Sequence, residues 1–245
     1  MPLASAPPPG TPVPGSVRVL ADGRPTRLLW RNERGGLTVA IDGDAPVVAK
    51  WSPPGGPDLR AEASRLRWLA ERHPAPRVRA WRAVADGELL VMDALSGESA
   101  VAQRWREAPE VAVRAIAEGL RRLHALPIDD CPWSWLPADR IRAARALGVA
   151  VPSGLEAAAD VDHLVVGHGD ACAPNTMVDA DGRFLATVDV GRLGLADRWS
   201  DLAVASMSLA WNHGEGFEPL FWDAYGIEPD AERIARYRTL WDAVD

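Results

Sequence analysis

Lysine is almost missing from this chain of 245 residues: Lys50 stands alone against 26 arginines. An ammonium is a compact point charge and a guanidinium a wide planar fork, so the one position that kept lysine invites attention. Cysteine is scarce as well. Cys131 and Cys172 form no CxxC pair and no disulfide framework, which predicts a reducing, cytoplasmic setting. No apolar run approaches the roughly 18 residues that span a bilayer, so no membrane partner is expected. Residues 1–15 are rich in proline and alanine and lack a basic start followed by an apolar stretch, so they do not read as a signal peptide. A Walker-type GxxxxGK is absent, which leaves a P-loop enzyme unsupported. No internal repeat is evident.

What is present looks globular, with 47% hydrophobic and 25% charged residues. Charge divides by position. Residues 1–92 carry 13 Lys+Arg against 9 Asp+Glu, whereas residues 93–245 carry 14 against 25. The basic front half suits an anion and the acidic back half a cation, while nucleic acid fits poorly, because its phosphates would meet a negative field; the plain alternative is an acidic face that only solubilises.

The pattern predicts an α+β chain in two lobes. After an extended leader (1–15), residues 16–92 read as mainly strand, residues 93–97 as a connector and 98–245 as mainly helix. Short β-rich runs at 37–41 and 46–50 meet at Asp42-Gly43, and runs at 78–84 and 88–92 meet at Asp86-Gly87, both hairpin signals. One helix, about 58–72, lies between the hairpins. Further on, residues 109–125 place Val113, Ile116, Ala117, Leu120 and Leu123 on one stripe. Helices are also expected near 138–147, 197–211, 217–225 and 229–243. A single β-rich island covers 164–166, 176–178 and 184–188.

Chemistry concentrates in two places. Lys50 ends the run Val47-Val48-Ala49-Lys50, and Glu62 lies on the apolar stripe Leu59, Ala63, Leu66, Ala70 of the next helix. A carboxylate on such a stripe needs a partner, and Lys50 is the nearest cation a sheet could present; a Glu reaching solvent from the stripe's edge is the plain alternative. In kinase-like folds this pairing aims a lysine at the α and β phosphates of ATP. Gly35 and Gly36 stand where a phosphate-covering loop belongs, although the GxGxxG spacing is missing.

The second place is His168-Gly169-Asp170 with Asn175 five residues beyond Asp170 and Asp189 nineteen beyond. Asp170 would accept a hydroxyl proton, and Asn175 and Asp189 would offer hard oxygen ligands to Mg²⁺. His168 reads as a brace for the loop rather than a catalyst. The same residues leave other readings open: zinc on His163, His168 and Asp170, a Cys172 nucleophile, a glycosidase pair of Asp170 and Asp189, or Asp and Asn serving as turn formers.

The stretches "VVGHGDACAPNTMV", "VDVGRLGLADRWSDLA", "EASRLRWLA", "LRRLHALPIDDCP" and "YGIEPDAERIARYRTLWD" resemble the aminoglycoside phosphotransferase family, most of all the 3′-phosphotransferases, from about residue 17 onward. The resemblance implies a bilobal protein-kinase-like fold, ATP and Mg²⁺, and phosphorylation of a drug hydroxyl, probed against a kinase of another small alcohol or an inactive nucleotide-binding pseudokinase. It makes Lys50 and Glu62 the phosphate-aligning pair, Asp170 the base, and Asn175 and Asp189 the magnesium ligands. It puts Met92, Asp93 and Leu95 against adenine and Arg192 near the substrate. Where relatives carry a longer acidic insert, this chain has only residues 148–162, with Glu156, Asp160 and Asp162 as stand-ins. Where relatives end in a glutamate-containing "LLDEFF", Ala243 replaces the glutamate and Asp242 and Asp245 remain. A shortened, open acceptor pocket is therefore expected, in a monomer or weak homodimer.

Overall fold

The computed structural model describes residues 4–5, 7–8, 10–152, 155 and 161–244, with the backbone alone at 4, 5 and 244. The chain divides into two compact units, one of residues 1–71 and 75–96, the other of 72–74 and 97–245.

In the first unit the strands β1 (Ala4–Ser5), β2 (Thr26–Asn32), β3 (Leu37–Ile41), β4 (Val47–Ser52), β5 (Val78–Val84) and β6 (Gly87–Asp93) form one antiparallel sheet in the order β1-β2-β3-β4-β6-β5. Both predicted hairpins form, although β4 runs past Lys50 to Ser52. Alternation along β4 decides what each face does: Val47 and Ala49 enter the apolar core with Val39, Ile41, Leu89 and Val91, and Lys50 falls on the opposite face. The helix α2 (Leu59–Leu69) starts where Asp58 accepts a hydrogen bond from the Ala61 amide at 2.9 Å, and it buries Leu59, Glu62, Ala63, Leu66 and Leu69.

Two features of this unit depart from the sequence reading. The leader contributes an edge strand, with Ala4 opposite Asn32 and Ser5 opposite Arg31. Residues Gly15–Ala21 form a helix, α1, where Val17-Arg18-Val19 alternates like a strand. The helix prevails because Val17 and Ala21, four apart, both reach the core, while Val19 is 81% exposed. Asp86 of the β5–β6 turn accepts from the Ser16 amide at 3.2 Å and so satisfies one donor of the first turn.

The second unit is built around α4 (Pro109–His124), whose predicted stripe is buried as expected. Ahead of it come β7 (Glu98–Ser99) and α3 (Gln103–Arg106). Behind it are α5 (Pro137–Ala146), β8 (Leu164–Gly167), a 3-10 turn (Ala173–Asn175), β9 (Thr176–Val178), β10 (Phe184–Thr187), β11 (Gly194–Asp197), α6 (Arg198–His213), α7 (Glu218–Tyr225) and α8 (Ala231–Val244). The expected single β island is two sheets: β10-β9-β7, and β11 paired with β8. The partner of β8 is thus Gly194–Asp197, a run too short and too poor in β-branched residues to announce itself. Among the described residues no helix is long and apolar enough to cross a membrane.

His73 belongs to this unit, its Nε2 2.9 Å from Thr187 Oγ1 and its ring 5.4 Å from that of Phe184. Burial, assisted by the positive charge of Arg122, pushes its pKa from 6.5 down to about 4. Above pH 6.5 the ring is neutral in both the folded and the unfolded chain and stability does not change. Between 6.5 and about 4 only the unfolded chain takes up the proton, so stability falls, by up to about 3 kcal/mol. Denaturant titrations across that window should show a shallower decline for His73→Asn than for the wild type.

Candidate active site

In the first unit Lys50 Nζ lies 2.6 Å from Glu62 Oε1, with the two side chains 14% and 5% exposed. Register explains the meeting: Lys50 stands between Thr38 and Leu90 on the central strand, and α2 turns Glu62 toward the sheet. Desolvating both charges is costly, so a pair this buried is held for placement of the ammonium more than for stability. Along the same sheet edge the Asp93 amide donates to the Arg77 carbonyl at 3.0 Å and the Ala94 amide to Pro46 at 3.3 Å. The Leu95 N–H has no acceptor among the described residues. Met92 is buried. Gly35 and Gly36 form the β2–β3 turn; Gly35 has φ +81°, and the Gly36 amide donates to Asn32 Oδ1 at 2.7 Å. A Cβ on Gly36 would lie 2.5 Å from Asn32 Nδ2, so a larger residue there would displace the Asn32 side chain that accepts from it.

In the second unit three backbone segments hold Asp170, Asn175 and Asp189 together. The Asp170 carbonyl accepts from Asn175 Nδ2 at 2.9 Å, and the Val188 amide donates to the Asn175 carbonyl at 3.0 Å. Thr187 opposite Thr176 then sets Asp189 just beyond the strand pair that starts at Asn175. Gly169 has φ +82°, and a Cβ there would come within 2.4 Å of the Arg192 carbonyl; the loop that carries Asp170 and the segment after Asp189 therefore touch through bare backbone. Asp189 has φ +59°, one of two non-glycine residues with positive φ among those described, a strained placement that sets the direction of its carboxylate. The Asp170 carboxylate and the Asn175 Oδ1 have no protein donor among the described residues.

His168 braces this arrangement. Its Nδ1 accepts from the Asp170 amide at 3.2 Å, which leaves Nε2–H to donate to the Val188 carbonyl at 3.0 Å. Beneath it lies a residue the sequence reading passed over. The carboxylate of Asp201 on α6 accepts from the His168 amide at 2.5 Å, the Gly169 amide at 3.0 Å and His124 Nε2 at 3.0 Å. Burial alone would raise its pKa, but the donors around it, His124 foremost, hold the carboxyl below the usual carboxylate range. Ser208, two turns on, accepts from the Ala173 amide at 2.9 Å. The available signal was an acid within the otherwise apolar run around Leu202–Leu209, the same logic that marks Glu62.

The residues named for the acceptor lie on different segments of the second unit. Arg192 places its guanidinium 5.8 Å from the Trp135 ring centre. Asp162 is bound to Arg198 at 2.5 Å and to Trp199 Nε1 at 2.9 Å. Burial works against these partners, yet they keep its pKa lowered. Asp242 is exposed on the last turns of α8. Glu156, Asp160 and Asp245 lie outside the described residues.

Lys50 with Glu62 in one unit, and Asp170, Asn175 and Asp189 in the other, are the residue types that kinase-like phosphotransferases use. The model of the phosphotransferase enzyme family matches residues 30–237, and the chain belongs to that family, the aminoglycoside phosphotransferases whose motifs it shares. It is 35% identical over 218 residues to an aminoglycoside 3′-phosphotransferase of Streptomyces fradiae, covering 75% of this chain and 78% of the relative. The crystal structure of an aminoglycoside-3′-phosphotransferase of type VIII superposes with a TM-score of 0.78 at 29% identity, over 92% of this chain and 97% of the other. A second similar structure is the aminoglycoside phosphotransferase APH(3″)-Id of Streptomyces rimosus in complex with ADP and streptomycin. Its TM-score is 0.71 at 27% identity, over 94% of this chain and 97% of the other.

Proposed function

We propose that this chain is an ATP-dependent kinase that moves the γ-phosphoryl group of ATP to a hydroxyl of an aminoglycoside, at the 3′ position, and so confers resistance. The observation that carries the reading is the Asp170 carboxylate, unpartnered among the described residues while its own carbonyl is tied to Asn175. Asp170 orients the acceptor hydroxyl and takes its proton as the oxygen bonds to the γ-phosphorus and the bond to the β–γ bridging oxygen breaks, releasing ADP. Positioning supplies most of the rate, since no covalent enzyme intermediate forms.

Lys50, aimed by Glu62, binds the α and β phosphates, and the Leu95 N–H and Asp93 carbonyl receive the adenine edge beside Met92. Gly35 and Gly36 form the turn that approaches the phosphates. The donor set of Asn175 Oδ1 and Asp189 suits Mg²⁺, a hard cation that takes oxygen ligands. When bound, Mg²⁺ would neutralise charge on the phosphates. The excess of carboxylates in residues 93–245 supports a polycationic acceptor, with Arg192, Asp162, Glu156, Asp242 and Asp245 as its candidate contacts. Cys131 and Cys172 carry no disulfide, in keeping with a cytoplasmic enzyme.

A coupled ADP-release screen tests this. ADP should form with kanamycin and neomycin, and a 3′-deoxy aminoglycoside should be turned over poorly. Release confined to macrolides or simple amino alcohols would overturn the aminoglycoside reading, and brisk turnover of the 3′-deoxy compound would overturn the position.

A further inference from the structure

The hydrogen bonds around Asp201 continue away from the catalytic loop. His124, the last residue of α4, sends Nε2 to Asp201 Oδ2 at 3.0 Å and Nδ1 to the Tyr225 hydroxyl, at the end of α7, at 2.8 Å. The side chains of His124 and Asp201 are 3% and 1% exposed, so water offers no substitute partners. An ionised carboxylate can only accept, which makes Nε2 the donor; in a neutral imidazole Nδ1 must then accept, and the tyrosine hydroxyl donates. Burial pushes the Tyr225 pKa up to about 12, so that proton stays in place. The two rings meet edge to face, with centroids 5.8 Å apart.

We infer that His124 and Tyr225 are positioning residues for the base: Tyr225 anchors the far side of the imidazole so that Nε2–H stays aimed at Asp201, and Asp201 in turn holds the His168 and Gly169 amides directly ahead of Asp170. The inference rests on the reading of Asp170 as the base. Loss of the Tyr225 hydroxyl leaves Nδ1 without its donor and the ring with one anchor instead of two. A ring free to tilt aims Nε2–H less well at the carboxylate, and the grip on the two amides loosens. Neither His124 nor Tyr225 is among the residues assigned to nucleotide, so the defect belongs to the chemical step and not to ATP binding.

Three variants test this in the full chain. Tyr225→Phe keeps the ring and its packing; it should lower kcat about threefold to tenfold, a change of the size one hydrogen bond supplies, with KM for ATP unchanged and Tm lower by about 2–4 °C for the stranded Nδ1. His124→Leu should lower kcat further, and His124→Gln, whose side-chain amide can reach Asp201, should recover most of it. Hydrogen exchange of the His168 and Gly169 amides should quicken in Tyr225→Phe relative to the amides of α4. Wild-type kcat and wild-type exchange in Tyr225→Phe would overturn the inference, as would a lowered Tm with kcat intact. If the wild type phosphorylates no acceptor, the functional reading fails by itself, and the amide exchange still decides whether the two residues hold the loop.

Discussion

Asp170→Asn should lower kcat about 10²–10⁴-fold, the usual yield of a positioned general base, while ADP affinity and Tm stay at wild-type values. The separation of effects follows from what Asp170 does with each part of itself. Its backbone amide and carbonyl hold the loop, through His168 Nδ1 and Asn175 Nδ2, and both remain in the variant. Its carboxylate has no partner among the described residues, so removing the charge leaves no buried group stranded. A single-turnover measurement with saturating ATP isolates the transfer step from product release. Turnover at the wild-type rate would sink the assignment of the base.

Asp201→Ala should be the most destabilising exchange near the site, at about 3–5 kcal/mol, the range for breaking a buried charged network from one side. Three donors, the His168 and Gly169 amides and His124 Nε2, would lose their acceptor in a place closed to water. Against a typical domain stability of about 5–15 kcal/mol this is enough to populate unfolded chain at ordinary temperature. Equilibrium urea unfolding at pH 7 reads the loss directly. Asp201→Asn, which keeps one acceptor oxygen, should fall between. A variant Asp201→Ala as stable and as active as the wild type would show that the loop is held by other means.

Much of this was legible in the residues. The α4 stripe, the two Asp-Gly hairpins and the acid of α2 on an apolar face all declare themselves through period and chemistry, and Lys50 through its isolation in the composition. Two kinds of feature stayed hidden. The helix α1 was masked because Val17-Arg18-Val19 mimics a strand, and its cap comes from Asp86, some seventy residues away. Asp201 was masked because its main partners are backbone amides, which no sequence displays, whereas Glu62 has a side-chain partner that can be named in advance. The acceptor residues were legible only through resemblance: Asp162 is engaged by Arg198, and Asp242 stands exposed on α8.

The solitary ammonium of this chain also makes it unusually simple to label. An acylating reagent that seeks primary amines meets a single side-chain target, shielded by its carboxylate neighbour and 14% open to solvent. The extent of adduct formation at that one atom, read by mass spectrometry with and without nucleotide, tests whether Lys50 meets the phosphates and needs no engineered tag.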